Sequence, residues 1–119
     1  MKPISRITNV GDGATYLHIP SESRCETLQT HGAPVGILAS TDKDFKPYLE
    51  DTYNLERGAM LVTCTDGVTD RHGFDNAYVW SLIAAVSDPK TLSNAIMGYA
   101  DSLPPEIGED DATIVAVRI

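Results

Sequence analysis

The chain has 119 residues, 42% of them apolar and 22% charged, with a formal net charge of −8 and a pI near 4.6. That is enough apolar material for one modest core, too much for wholesale disorder, and too acidic for a duplex nucleic-acid partner, whose phosphates require a basic footprint. No run approaches the roughly 18 apolar residues of a membrane span, and no apolar signal core opens the chain, so a reducing, cytoplasmic setting without membrane contact is expected.

Taken in chain order, Ile4 to Val10 alternates loosely as a strand, Gly11-Asp12-Gly13 marks a turn, and Thr15 to Ile19 returns as the second arm of a hairpin. Cys25 to Thr30 reads as a short third strand. His31 to Ser40 carries two glycines and Pro34 around a small apolar patch, which reads as an irregular packed loop. Lys46 to Leu55 alternates at Tyr48, Leu49, Thr52, Tyr53 and Leu55 as a further strand. Glu56-Arg57-Gly58 then turns the chain into Met60–Thr65, the strongest strand pattern present. Asp75 is a fair N-cap for a helix whose Ala77, Trp80, Ile83 and Ala84 fall at helical spacing. Asp88-Pro89 opens a second helix with a capping carboxylate and a proline at the first helical position. Its apolar face is Leu92, Ile96, Tyr99, Ala100 and Leu103, and Pro104-Pro105 stops it. Thr113 to Ile119 is a last strand. Strands, then two helices, then a strand predict an α+β fold with mainly antiparallel pairing. No repeat, linker or low-complexity segment divides residues 1–119, which read as a single domain or part of one.

Chemistry concentrates in two places. Residues 59–70, AMLVTCTDGVTD, form an apolar run that breaks at Asp66-Gly67, and the ending DDATIVAVRI opens with adjacent carboxylates. Bare aspartates at the ends of apolar strands suit hard divalent cations, which prefer carboxylate and water oxygens. The plainer readings are an Asp-Gly turn after a strand and, for Glu109-Asp110-Asp111, a solvated loop. Three adjacent carboxylates repel one another, and a cation relieves that repulsion. Cys64, inside an apolar strand, reads as a reduced buried thiol, and with Cys25 it makes no disulfide framework. His18, His31 and His72 have no ligand spacing with the cysteines, which speaks against zinc, and His72 reads as a loop histidine. There is no phosphate-cradling glycine loop and no nucleophile-elbow serine.

LERGAMLVTCTDGVTD resembles the segment of bacterial SpoIIE-like phosphatases, members of the metal-dependent PP2C superfamily, that ends in [ST]-D-G and a later acidic position. DDATIVAVRI resembles their closing D-[DN]-x-T strand, HGAPVGIL their x-x-P-h-G-h loop, and RITNVGDGATYLH their earlier N-A-G hairpin. The four motifs follow the family order across the whole chain. The resemblance implies a PP2C-like antiparallel β-sandwich flanked by helices, here its C-terminal half or a compact variant. It implies a protein serine/threonine phosphatase using Mn²⁺ or Mg²⁺ and an acidified water, acting on a phosphorylated regulatory protein such as an anti-anti-sigma factor. Carried over by position, Asp66 and Asp110 would be the catalytic metal ligands, Asp70 a weaker acidic position tied to an additional ion, and Asp111 a loop-fixing Asp/Asn position beside the metal. Ala59 stands where the family usually has aspartate. A complete domain of the family is about twice as long, and its first half supplies another metal aspartate. Asp12 reads as turn rather than as a substitute. A non-catalytic, phosphatase-like regulatory or protein-binding module with an incomplete metal site is therefore the alternative. Half a sandwich leaves strand edges open, so self-association or a completing chain is expected.

Overall fold

The computed structural model describes residues 4–7, 13–28, 51–104 and 111–119. Its strands are β1 (Ile4–Ile7), β2 (Ala14–Ile19), β3 (Arg24–Leu28), β4 (Asp51–Asn54), β5 (Met60–Cys64) and β6 (Ile114–Arg118). Its helices are α1 (Asp66–Thr69), α2 (Asn76–Ala85) and α3 (Pro89–Asp101). Four strands form an antiparallel sheet in the order β3-β2-β5-β6, and β1 pairs with β4 in a separate antiparallel ribbon. The fold is α+β with antiparallel pairing, as the element order predicts. The expected loop over His31 to Ser40 and the first residues of the 46–55 strand lie outside the described residues.

The expected hairpin between the first two strands does not form: β1 pairs with β4. The reason lies in β2, which is an interior strand bonded to β3 on one side and β5 on the other. Both of its ladder edges are taken. The true hairpin is β2–β3, closed by a 3₁₀ turn over Pro20–Glu22 with Ser23 in the left-handed region.

Period-2 alternation sorts the sheet into two faces. One face presents Tyr16, Met60, Val62 and Cys64, and α2 and α3 cover it with Val79, Ile83, Leu92, Ile96 and Ala100, all at most 2% exposed. Each fully buried Leu, Ile or Val contributes about 1.5–3 kcal/mol relative to exposure. In α3 the buried residues recur at Leu92, Ile96 and Ala100, one helical face. Asp88 caps that helix, accepting from the Thr91 backbone N–H at 2.9 Å and from the Thr91 hydroxyl at 2.7 Å.

In α2 the buried stripe is Val79 and Ile83, while Ala77, Trp80 and Ala84 are exposed. The expected face is therefore rotated by one residue, with only Ile83 correctly placed. Trp80 lies over the sheet edge, where its indole Nε1–H donates to Thr27 Oγ1 at 2.9 Å. An indole has an apolar body and one donor, so it suits such a boundary position. Tyr78 stacks on Tyr99 with ring centroids 4.3 Å apart and ties α2 to α3.

The opposite face is half finished. Leu17, Ile19, Leu28 and Leu55 form a second buried cluster with Leu61 against it. Toward β6 the same face is open, with Val115 at 54%, Val117 at 46% and Ile119 at 38% exposure.

Candidate metal centre

β5 and β6 run antiparallel with Cys64 opposite Ile114, so the residue after one strand and the residues before the other meet at one end of the sheet. A threonine clasp locks this end. The Thr65 N–H donates to the Thr113 carbonyl at 3.0 Å, and the Thr113 N–H donates to Thr65 Oγ1 at 2.9 Å. Asp66 follows at once as the first residue of α1, partly buried, and its carbonyl accepts from the Asp70 N–H at 2.7 Å. Asp66-Gly67 thus opens a single helical turn, where the plainer alternative reading had only a turn after the strand.

Gly67 is what lets the two acidic segments approach. It is buried, and a Cβ there would collide with the Asp111 carbonyl oxygen and lie 2.8 Å from its carbon and 3.3 Å from Ala112 Cα. Any side chain at this position would fill the space that brings Asp111 beside Asp66. Gly13 makes a similar approach at φ +101°, where a Cβ would lie 2.6 Å from the Cys64 carbonyl oxygen. The end of β5 is therefore crowded by backbone from two directions.

Of the four candidate ligands, Asp66 and Asp111 are brought to one place by these contacts. Asp70, exposed, ends α1. Asp110 and Asp12 lie outside the described residues. Among the described residues no three His, Cys, Asp or Glu side chains come together as a metal-holding group. Cys25 and Cys64 are both free thiols, and burial pushes each up to about 11. His72 is exposed, and its N–H donates to the Pro104 carbonyl.

No sequence motif marks Arg71, one of several scattered basic residues. Its Nε donates to the Gly67 carbonyl at 3.1 Å and its Nη1 to the Leu103 carbonyl at 3.4 Å, with Asp101 4.0 Å from Nη2. This guanidinium ties α1 to the end of α3. No spacing rule links residues 71 and 103; only the packed helices do.

The family model of stage II sporulation protein E, SpoIIE, matches residues 4–119. The chain belongs to the SpoIIE family. Solved structures agree in fold. The PP2C phosphatase domain of SpoIIE from Bacillus subtilis, with a fragment of its regulatory domain, superposes with a TM-score of 0.75 at 18% identity, covering 98% of this chain and 34% of that one. The phosphatase domain alone gives 0.70 at 18% identity, covering 100% of this chain and 53% of that one. The RsbU and RsbW domains of a Mycobacterium tuberculosis protein give 0.68 at 18% identity, with 99% and 33% covered. This SpoIIE-family chain thus has the PP2C fold and spans between about a third and a half of those solved chains. No curated protein sequence matches it. Among the described residues, no helix is long and apolar enough to cross a membrane.

Proposed function

We propose that this chain carries the Asp66 and Asp110 part of a metal-dependent protein serine/threonine phosphatase site. The observation that carries the reading is the approach of Gly67 to the Asp111 backbone, which brings two carboxylate-bearing segments together at the end of β5. An all-oxygen donor set of this kind fits Mn²⁺ or Mg²⁺. A SpoIIE phosphatase-domain structure described as Mn-presoaked gives a TM-score of 0.67 at 20% identity. Asp66 and Asp110 would hold the ion, with Asp70 and Asp111 supporting that site or a neighbouring one. A bound divalent ion there supplies positive charge for a phosphoryl group and makes water more acidic. The chain's own residues do the positioning. The threonine clasp fixes the register of the two segments, Gly67 sets their distance, and Arg71 anchors α1. The proposed substrate is a phosphoserine or phosphothreonine on a regulatory protein, and the proposed setting is cytoplasmic.

A second reading rests on span: the chain covers 53% of a solved SpoIIE phosphatase domain. On that reading the chain is a non-catalytic regulatory or binding module. Either reading has a use for the open Val115, Val117 and Ile119 face, which we take to be covered by a second copy or by a completing chain.

The test is Mn²⁺-dependent hydrolysis of p-nitrophenyl phosphate by the purified chain beside Asp66→Asn, with Mn²⁺ binding measured calorimetrically on both. Turnover and binding lost together in the variant support the phosphatase. Binding without turnover in folded protein supports the module, and no binding to either protein rejects the metal centre.

A further inference from the structure

A cavity of about 310 Å³ lies at the opposite end of the sheet from Asp66, lined among others by His18, Arg57, Met60, Ile83, Val86 and Arg118. It holds the volume of about ten water molecules. Its origin is a change in one cross-strand row. On the helix-covered face the inner rows are mainly apolar, but the last row reads Cys25, His18, Met60, Arg118, with His18 opposite Met60 and Met60 opposite Arg118. Directly opposed residues share a face and sit side by side. α2 stops at Ala85, so the helix layer ends over this row and leaves space above it. Arg57, in the turn before β5, adds a second guanidinium to the wall.

Two arginines, both partly solvent-facing, line one cavity in a chain of net charge −8, which makes this wall a local positive patch. Among the described residues neither guanidinium forms an ion pair, although Arg118 lies close enough to Asp88 to help lower that carboxyl's pKa, a smaller cause than the Thr91 hydrogen bonds. The neighbouring acids have other partners. Asp88 accepts both Thr91 bonds, and Glu56 Oε1 accepts from the Ser21 N–H at 2.9 Å. The end of α2 opposes an anion with only about half a charge, against two full guanidinium charges. The rest of the wall is mixed, with Met60, Ile83, Ala84 and Val86 apolar and His18 and Ser87 polar.

We propose that this cavity binds a small organic anion, a carboxylate or phosphate on a short apolar stem, with the head group between Arg57 and Arg118 and the stem against Met60, Ile83 and Val86. Guanidinium forks suit either oxyanion, and the apolar residues of the wall suit the stem. The site is separate from the aspartate end of the sheet and needs no metal.

The test is an amide NMR titration of the full chain in metal-free, EDTA-containing buffer. The probes are hexanoate, butyl phosphate, hexanol and acetate. Saturable shifts are expected at Gly58, Ser87 and Arg118 and not at Asp66 or Gly67. Hexanoate or butyl phosphate should bind at least about tenfold more tightly than hexanol, which lacks the charge, and than acetate, which lacks the stem. The tighter of the two anions identifies the head group, and either supports the site. Arg57→Ala and Arg118→Ala should each weaken binding about tenfold. Should Arg118→Ala disturb the edge strand, Arg57→Glu decides, because Arg57 lies in a turn. Equal binding of hexanol and hexanoate, unchanged affinity in the Arg57 variants, or shifts centred on Asp66 would overturn the proposal.

Discussion

Adding one methyl group to Gly67 should reveal how tightly the two acidic segments are pressed together. In Gly67→Ala the new Cβ collides with the Asp111 carbonyl oxygen and lies 2.8 Å from the Asp111 carbon and 3.3 Å from Ala112 Cα. All three are backbone atoms, so no side-chain rotation relieves the clash, and the approach to β6 has to move. Overpacking of this kind costs about 1–3 kcal/mol. For a domain of this size each kcal/mol is worth about 4 °C, giving a melting temperature lower by about 4–12 °C. Gly98 supplies the internal control. It lies exposed within α3, and a Cβ there meets nothing within 4 Å. Gly98→Ala should therefore stabilise the chain by up to about 1 kcal/mol through helix propensity alone. The same atom is added twice with opposite signs. Urea unfolding followed by circular dichroism measures both variants against the parent. If Gly67→Ala unfolds at the parent's midpoint or above it, the packing argument is refuted, and with it the role given to Gly67 in the metal centre.

Three further outcomes are expected. Tyr16→Phe removes the 2.7 Å bond from the buried phenol to Asn76 Oδ1 at the start of α2 and should cost about 1 kcal/mol by urea unfolding. Asp88→Ala should lower stability at neutral pH. Because the Thr91 hydrogen bonds depress the Asp88 pKa below its ordinary 3.8, the cap's contribution is complete above that value and lost as pH falls through the depressed one. Parent and variant unfolding curves, measured down an acid series, should accordingly converge. The raised thiols act in the other direction. Their contribution is complete below the ordinary 9.0 and lost as pH climbs toward about 11. Alkaline unfolding should show that decline, and a thiol reagent at pH 8 should modify Cys64 only at the rate of unfolding, since it is buried.

The start and buried face of α3 were readable in the sequence because their signals are local, although the helix ends at Asp101, short of Leu103 and the Pro104-Pro105 stop. Asp88, Pro89 and the Leu92–Ile96–Ala100 spacing need nothing outside the segment. α2 was harder, because apolar residues lie on nearly every side of it and its stripe is poorly marked. Trp80 reads as core by hydrophobicity yet sits at a boundary, where its one N–H finds Thr27. The β1–β2 hairpin failed for a different reason. A turn signal states that the chain reverses, not which strand receives it, and β2 had both edges claimed by strands elsewhere in the chain. The candidate metal centre divides in the same way. Asp66 and Asp111 stand out as motifs, but their adjacency depends on the Cys64–Ile114 register and on Gly67, which neither segment shows alone. The row that holds His18, Met60 and Arg118 had no signal at all, since it exists only across paired strands.

The threonine clasp joins residues 48 positions apart, and this bears on the order in which the molecule assembles. α2 and α3 are neighbours in sequence and can meet early, whereas β6 reaches β5 only after a long loop has closed, the kind of contact that slows folding. On this argument the approach of Gly67 to Asp111 forms late. Any ligand gripping both segments binds the completed arrangement and not its precursors. By mass action it would act as a latch on β6, slowing the strand's release and raising the unfolding midpoint with its own concentration.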